Sequence, residues 1–135
     1  SRPGGFSDIL APYAMKVDVN ARVAVEDVPV QILEPANSLF HFPNEITAKA
    51  FDGWVQERGT YFMASWAPEF KPLLASHDPD EPPQKGGMLL APYGKGYYLY
   101  SGYVWFRQLP AGVPGGYRIF ANMISLGKQG KKASK

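Results

Sequence analysis

Cysteine is absent from the 135-residue chain, which excludes disulfides and thiol chemistry without fixing the compartment. Histidine is scarce: His41 and His77 stand alone, and no HxxH or HExxH pair exists to anchor a zinc hydrolase. No apolar run approaches the roughly 18 residues that a membrane-spanning helix needs. Charge of one sign is also lacking, since the net value is only +2. Four of the lysines lie in the last eight residues, "KQGKKASK", which reads as a solvated basic tail over residues 129–135. With no basic stripe elsewhere, nucleic-acid binding is not expected. There is no internal repeat, and no signal peptide is expected. The first residues, "SRPGGF", contain no start Met, so the chain is expected to be a piece of a longer protein.

Aromatic residues, Gly and Pro are plentiful. The chain holds 3 Trp, 8 Tyr, 8 Phe, 14 Gly and 13 Pro. Such a composition suits a globular domain of many strands and turns, stiffened by large flat side chains.

Residues 1–20 read as an N-terminal loop, punctuated by Pro3, Gly4, Gly5 and Pro12. "ARVAVEDVPVQIL" alternates apolar and other residues, which predicts two short strands parted near Glu26 and Asp27. "EPANSLFHFPNE" follows as a proline-bounded loop. Thr47 is placed to cap a helix over "AKAFDGWVQER", with Phe51, Trp54 and Val55 on one face and Gly59 at its end. "TYFMASW" and "KPLLAS" read as strands. "GGMLLAPYGKGYYLYSGYVWF" is the clearest pattern, two strands around a Gly94-Lys95-Gly96 turn. "LPAGVPGGYRIFANMISLGK" has helix grammar, with Pro114 in the first turn, Gly127 at the end, and Tyr117, Phe120, Ala121 and Ile124 on one face. The sum is an α/β or α+β domain over residues 21–128, a mixed sheet of about six strands with two helices packed on it.

The stretch "LLASHDPDEPP" offers His77, Asp78, Asp80 and Glu81 within five positions, and His77 with Asp80 are the metal candidates. Pro79, Pro82 and Pro83 argue instead for a rigid inter-strand turn. "GKG" and "GVPGG" fit no phosphate-loop pattern, though the second precedes a helix start. No serine lies in a GxSxG elbow. Asp52 and Glu57 read as solvated helix residues rather than a glycosidase pair. The aromatic set Tyr93, Tyr97, Tyr98, Tyr100, Tyr103 and Trp105 has one face that must be core. Its other face is either a contact with another domain or a stacking platform for sugars. The candidate ligand-binding residues are Trp54, Tyr98, Tyr100, Trp105 and Arg107.

From "FDGWVQERG" through "FRQLPAGVPGGYRIFANMISLG", the chain resembles the C-terminal region of bacterial PIG-L (LmbE-like) family deacetylase proteins. That region looks like a degenerate glutamine-amidotransferase-like or ThuA-like domain with a flavodoxin-like sheet, and Tyr93 to Tyr100 match its strand before a closing helix. The family's catalytic motif is AHPDDE, in which the His and second Asp hold zinc and the first Asp is the base. Aligning His77 with that His puts Asp80 at the metal position and Pro79 where the base should be, so the match fails. The amidotransferase nucleophile is a Cys, and this chain has none. The resemblance therefore implies a non-catalytic accessory domain without a cofactor, serving domain contact or oligomerisation. Its expected partners are an N-terminal deacetylase domain of the same polypeptide and further copies of itself. It also leaves room for a periplasmic or secreted location. A carbohydrate-binding or carbohydrate-processing module, using exposed aromatics on a glycan, is the alternative.

Overall fold

A β-hairpin supplies residues to both hydrophobic clusters of the molecule. In the computed structural model, which describes residues 11–128, the strands are β1 (Met15–Val17), β2 (Arg22–Val23), β3 (Gln31–Ile32), β4 (Gly59–Thr60), β5 (Met63–Trp66), β6 (Lys71–Pro72), β7 (Leu74–Ala75), β8 (Met88–Tyr93) and β9 (Gly96–Ser101). Two 3-10 helices, Ser38–Phe40 and Ala48–Phe51, and two α-helices, α1 (Trp105–Gln108) and α2 (Pro114–Ile124), complete the described part. The class is α+β.

β8 and β9 pair in antiparallel register from Met88 opposite Ser101 to Tyr93 opposite Gly96. Gly94 supplies the positive φ (56°) of the two-residue turn, a conformation that costs glycine little. β6 pairs with the other edge of β8. Met88, Leu89, Leu90 and Ala91 are all buried, so β8 meets core on both faces, which explains its unbroken apolar run. Met88 and Leu90 join the larger cluster, with Leu39, Phe40, Phe51, Trp54, Phe62 and Tyr103 among its members. Leu89 and Ala91 join a smaller one with Met15, Met63 and Phe70, which Tyr98 and Tyr100 help to close.

The remaining sheets are three two-stranded pairs, β1–β5, β2–β4 and β3–β7. Every one of these pairings is antiparallel. The expected mixed sheet is thus replaced by several small antiparallel ones. A flavodoxin-like parallel sheet has no counterpart among the described residues.

Five local expectations are corrected. Residues 11–20 contain a strand, because Met15 and Val17 turn toward the Met63–Phe70 cluster and β1 pairs with β5. "TYFMASW" is broken between β4 and β5 at Tyr61, whose φ is +57°. The helix expected from Thr47 to Gly59 is a single 3-10 turn, and Thr47 makes no side-chain cap. Gly53 and Gln56 both take φ of +71°, which ends helical geometry, and Gly59 lies in β4. The second strand of "GGMLLAPYGKGYYLYSGYVWF" stops at Ser101, and "WFRQ" coils into α1.

The fifth correction concerns α2. Its extent matches the expectation, but the Tyr117, Phe120, Ala121 and Ile124 face is not what packs inward. Gly115, Gly116, Ile119 and Asn122 are buried, while Tyr117 and Ile124 are 51% and 71% exposed. Packing against the 3-10 turn Ala48–Phe51 decides this, because only glycine fits at position 115. A Cβ there would stand 1.7 Å from the Ala50 carbonyl oxygen.

Candidate functional site

An open groove of about 490 Å³ lies between two loops, residues 24–27 and residues 51–58. Its lining includes Glu26, Asp27, Asp52, Trp54, Gln56 and Arg58. Each wall is fastened from elsewhere in the chain. Asp78 accepts the backbone N–H groups of Ala24 at 2.9 Å and Val25 at 2.8 Å, one on each carboxylate oxygen. Gln108 fastens the other wall, accepting from Val55 N at 2.9 Å and donating to Val55 O at 3.0 Å. Arg107 reinforces it, with Nε 3.0 Å from Glu57 Oε1 and Nη1 donating to Gln56.

Arg58 joins the two walls. It is 3% exposed, and its Nε and Nη2 donate to the Val28 carbonyl at 3.1 and 2.7 Å. Nη1 donates to the Phe51 carbonyl, and the guanidinium lies 5.7 Å from the centre of the Trp54 ring. Burial lowers the pKa of Arg58, and nearby Tyr103, Asp27, Asp52 and Glu26 act against that shift. A guanidinium stays charged under these conditions. Carbonyl oxygens and an aromatic face therefore hold a buried cation that makes no ion pair among the described residues.

Glu26, Asp27 and Asp52 are exposed on the rim, and among the described residues none makes an ion pair or side-chain hydrogen bond. No group of three or more His, Asp or Glu side chains among the described residues is placed to hold a metal ion. The groove leaves carboxylate acceptors open at its lip, beside the exposed Val25, while the donors of Arg58 at its base are turned to backbone carbonyls. Hydroxyl and cationic groups are what such a lining can hold.

The residues singled out from sequence fall into separate places. Trp54 is 4% exposed, lines the groove, and donates from Nε1 to Ala50 O at 3.1 Å. Trp105 packs edge-on to it with ring centres 5.2 Å apart, and its Nε1 donates to Ser101 Oγ at 2.9 Å. Arg107 braces Gln56 and Glu57 beside them. Tyr98 and Tyr100 lie on the opposite face of the hairpin with the smaller cluster, so they share no site with Trp54. Burial raises the pKa of both tyrosines, that of Tyr100 to about 12.

His77 and Asp80 are exposed in the loop 77–83, which Ser76 and Gln84 close through a pair of backbone hydrogen bonds of 3.2 and 2.9 Å. His77 Nδ1 is 2.9 Å from the Asp78 carbonyl oxygen. The loop is thus an inter-strand turn whose Asp78 positions the groove wall. The sequence offers Asp78 only as part of a polar cluster and does not mark Arg58 at all, since both bind backbone atoms of distant segments.

A second surface stands out. Tyr117, Phe120 and Ile124, at i, i+3 and i+7 of α2, form an apolar stripe facing solvent, and Phe106 on α1 is 66% exposed. The hydroxyl of Tyr117 donates to the Leu109 carbonyl. Among the described residues no helix is long and apolar enough to cross a membrane. The 129–135 basic tail and residues 1–10 of the expected N-terminal loop lie outside the described residues. No family model matches the chain, and no curated protein or solved structure matches it either.

Proposed function

We propose that this chain is a non-catalytic accessory domain of a longer PIG-L/LmbE-like protein, acting by contact with another polypeptide chain or domain. The observation that carries the reading is the exposed stripe of Tyr117, Phe120 and Ile124. A helix that buries Gly115, Gly116, Ile119 and Asn122 while leaving Tyr117, Phe120 and Ile124 to water is placed for contact. An extracytoplasmic location belongs to the same proposal. The flavodoxin-like sheet does not, because the pairings described above are all antiparallel.

The test is titration calorimetry of this chain against a separately produced deacetylase domain from the same polypeptide. Saturable binding, lost in the double variant Phe120→Ser/Ile124→Ser, is the expected result. Binding that survives in that variant, or none at millimolar concentration, overturns the reading.

A glycan-binding module is the second reading, favoured by Trp54 lining a groove beside Glu26, Asp27 and Asp52. Quenching or enhancement of tryptophan fluorescence by amino sugars, abolished in Asp27→Asn/Asp52→Asn, supports it. An unchanged spectrum excludes it.

A further inference from the structure

We propose that the chain associates with itself head to tail, the α2 stripe of one copy seating in the Trp54 groove of the next. This names a partner for the contact surface above and rests on that reading.

Charge is divided along the chain. All 12 Asp and Glu precede residue 82, whereas eight of the 14 Lys and Arg follow it. The division reappears on the surface. The groove carries three rim carboxylates, from Glu26, Asp27 and Asp52, against the single buried cation of Arg58. These carboxylates are unpaired among the described residues and are not grouped to close on a metal ion. Their spread suits a larger cationic surface.

The α2 face has the opposite character. Arg118 is exposed beside the stripe and Lys128 lies just past its end; neither makes an ion pair among the described residues. No acidic residue occurs on α1 or α2. Two copies pairing symmetrically through α2 would bring these cations together with no carboxylate to meet them. Like charges set against each other in an interface oppose association. A head-to-tail contact removes that conflict by setting Arg118 and the apolar stripe against the acidic lip and the exposed Val25 of the groove. Such a contact uses two different patches, so each added copy leaves one of each free and the assembly extends.

Sedimentation velocity over a wide range of protein concentration provides the test. The expected result is a sedimentation coefficient that rises with concentration and falls back in high salt, as screened charges require. The face variant Arg118→Ser/Phe120→Ser and the groove variant Asp27→Asn/Asp52→Asn should each associate at least about tenfold more weakly alone. Mixed, they should form a one-to-one complex that stops at two copies, because only one intact patch of each kind remains. A chain that stays monomeric throughout overturns the proposal, as does a mixture that stays monomeric. So does a groove variant that self-associates like the parent, which would indicate symmetric α2 pairing. A monomeric chain that still binds the deacetylase domain through Phe120 would sink self-association alone and leave the accessory-domain reading standing. Self-association without domain binding would do the reverse.

Discussion

The β8–β9 hairpin and helix α2 both lie against the larger core, yet they are held there by different forces. The hairpin contributes apolar area, with Met88, Leu89 and Leu90 almost wholly buried and Tyr100 and Leu99 opposite the two leucines on β9. Helix α2 contributes close approach and hydrogen bonds. Gly115 lets its backbone touch Ala50, and Asn122 donates from Nδ2 to Leu39 O and Asn44 O, both at 2.7 Å, while its Oδ1 accepts from Asn44 N at 3.0 Å. Area tolerates shape changes of similar volume, whereas contact distance and hydrogen-bond direction do not. The two regions should therefore fail differently when altered.

The sharpest break is Gly115→Val, where the new side chain meets backbone that has no room to shift. Destabilisation of more than about 4 kcal/mol is expected, seen as loss of the cooperative thermal transition in circular dichroism. Asn122→Leu keeps the volume but orphans two carbonyls and an N–H. It should cost about 3–5 kcal/mol in urea denaturation. The hairpin counterpart separates area from geometry: Leu89→Ala should cost about 3 kcal/mol, but Leu89→Met less than about 1.5 kcal/mol. Equal losses for Leu89→Met and Asn122→Leu would erase the distinction.

Tyr103 follows the hairpin and precedes α1, and its hydroxyl lies 3.0 Å from Ser76 Oγ. Burial raises its pKa from 10.0 to about 12. The neutral phenol is thus favoured by the fold, so its stabilisation is complete below pH 10 and is lost as pH rises from 10 toward 12. Tyr103→Phe should cost about 1 kcal/mol at neutral pH and flatten the alkaline decline measured by denaturant midpoints. The smallest effect belongs to the outer side of α2. Ile124→Ser should change stability by less than about 0.5 kcal/mol in the same assay.

The hairpin was readable because its signals are local: a Gly94-Lys95 turn between two runs rich in large side chains. Pro114 likewise announced the start of α2. The buried side of that helix was not readable, because apolar spacing points to Tyr117, Phe120 and Ile124. The opposing fact, an Ala50 carbonyl pressed against Gly115, is a contact 65 residues away in sequence. The 48–58 segment misled in a related way. Phe51 and Trp54 are indeed buried, but a 3-10 turn and a bend at Gly53 place them there. At the groove, Trp54, Trp105 and Arg107 were visible as residue types suited to a ligand surface, and the fold brings them close together. Tyr98 and Tyr100 came from the same reasoning but belong to the other face. Asp78 stood inside the most conspicuous polar stretch of the chain. Its bonds to Ala24 and Val25 turn that stretch into a brace for the groove.

Arg58 carries a consequence for how the groove can move. Its guanidinium is satisfied only while Val28, directly after the 24–27 wall, and Phe51, in the other wall, both present their carbonyls. Swinging either wall outward alone would leave a desolvated cation short of acceptors, a heavy penalty. Partial opening is therefore suppressed, and the two loops are expected to loosen together or stay closed together. The groove behaves as one cooperative unit whose shape is set before anything enters it.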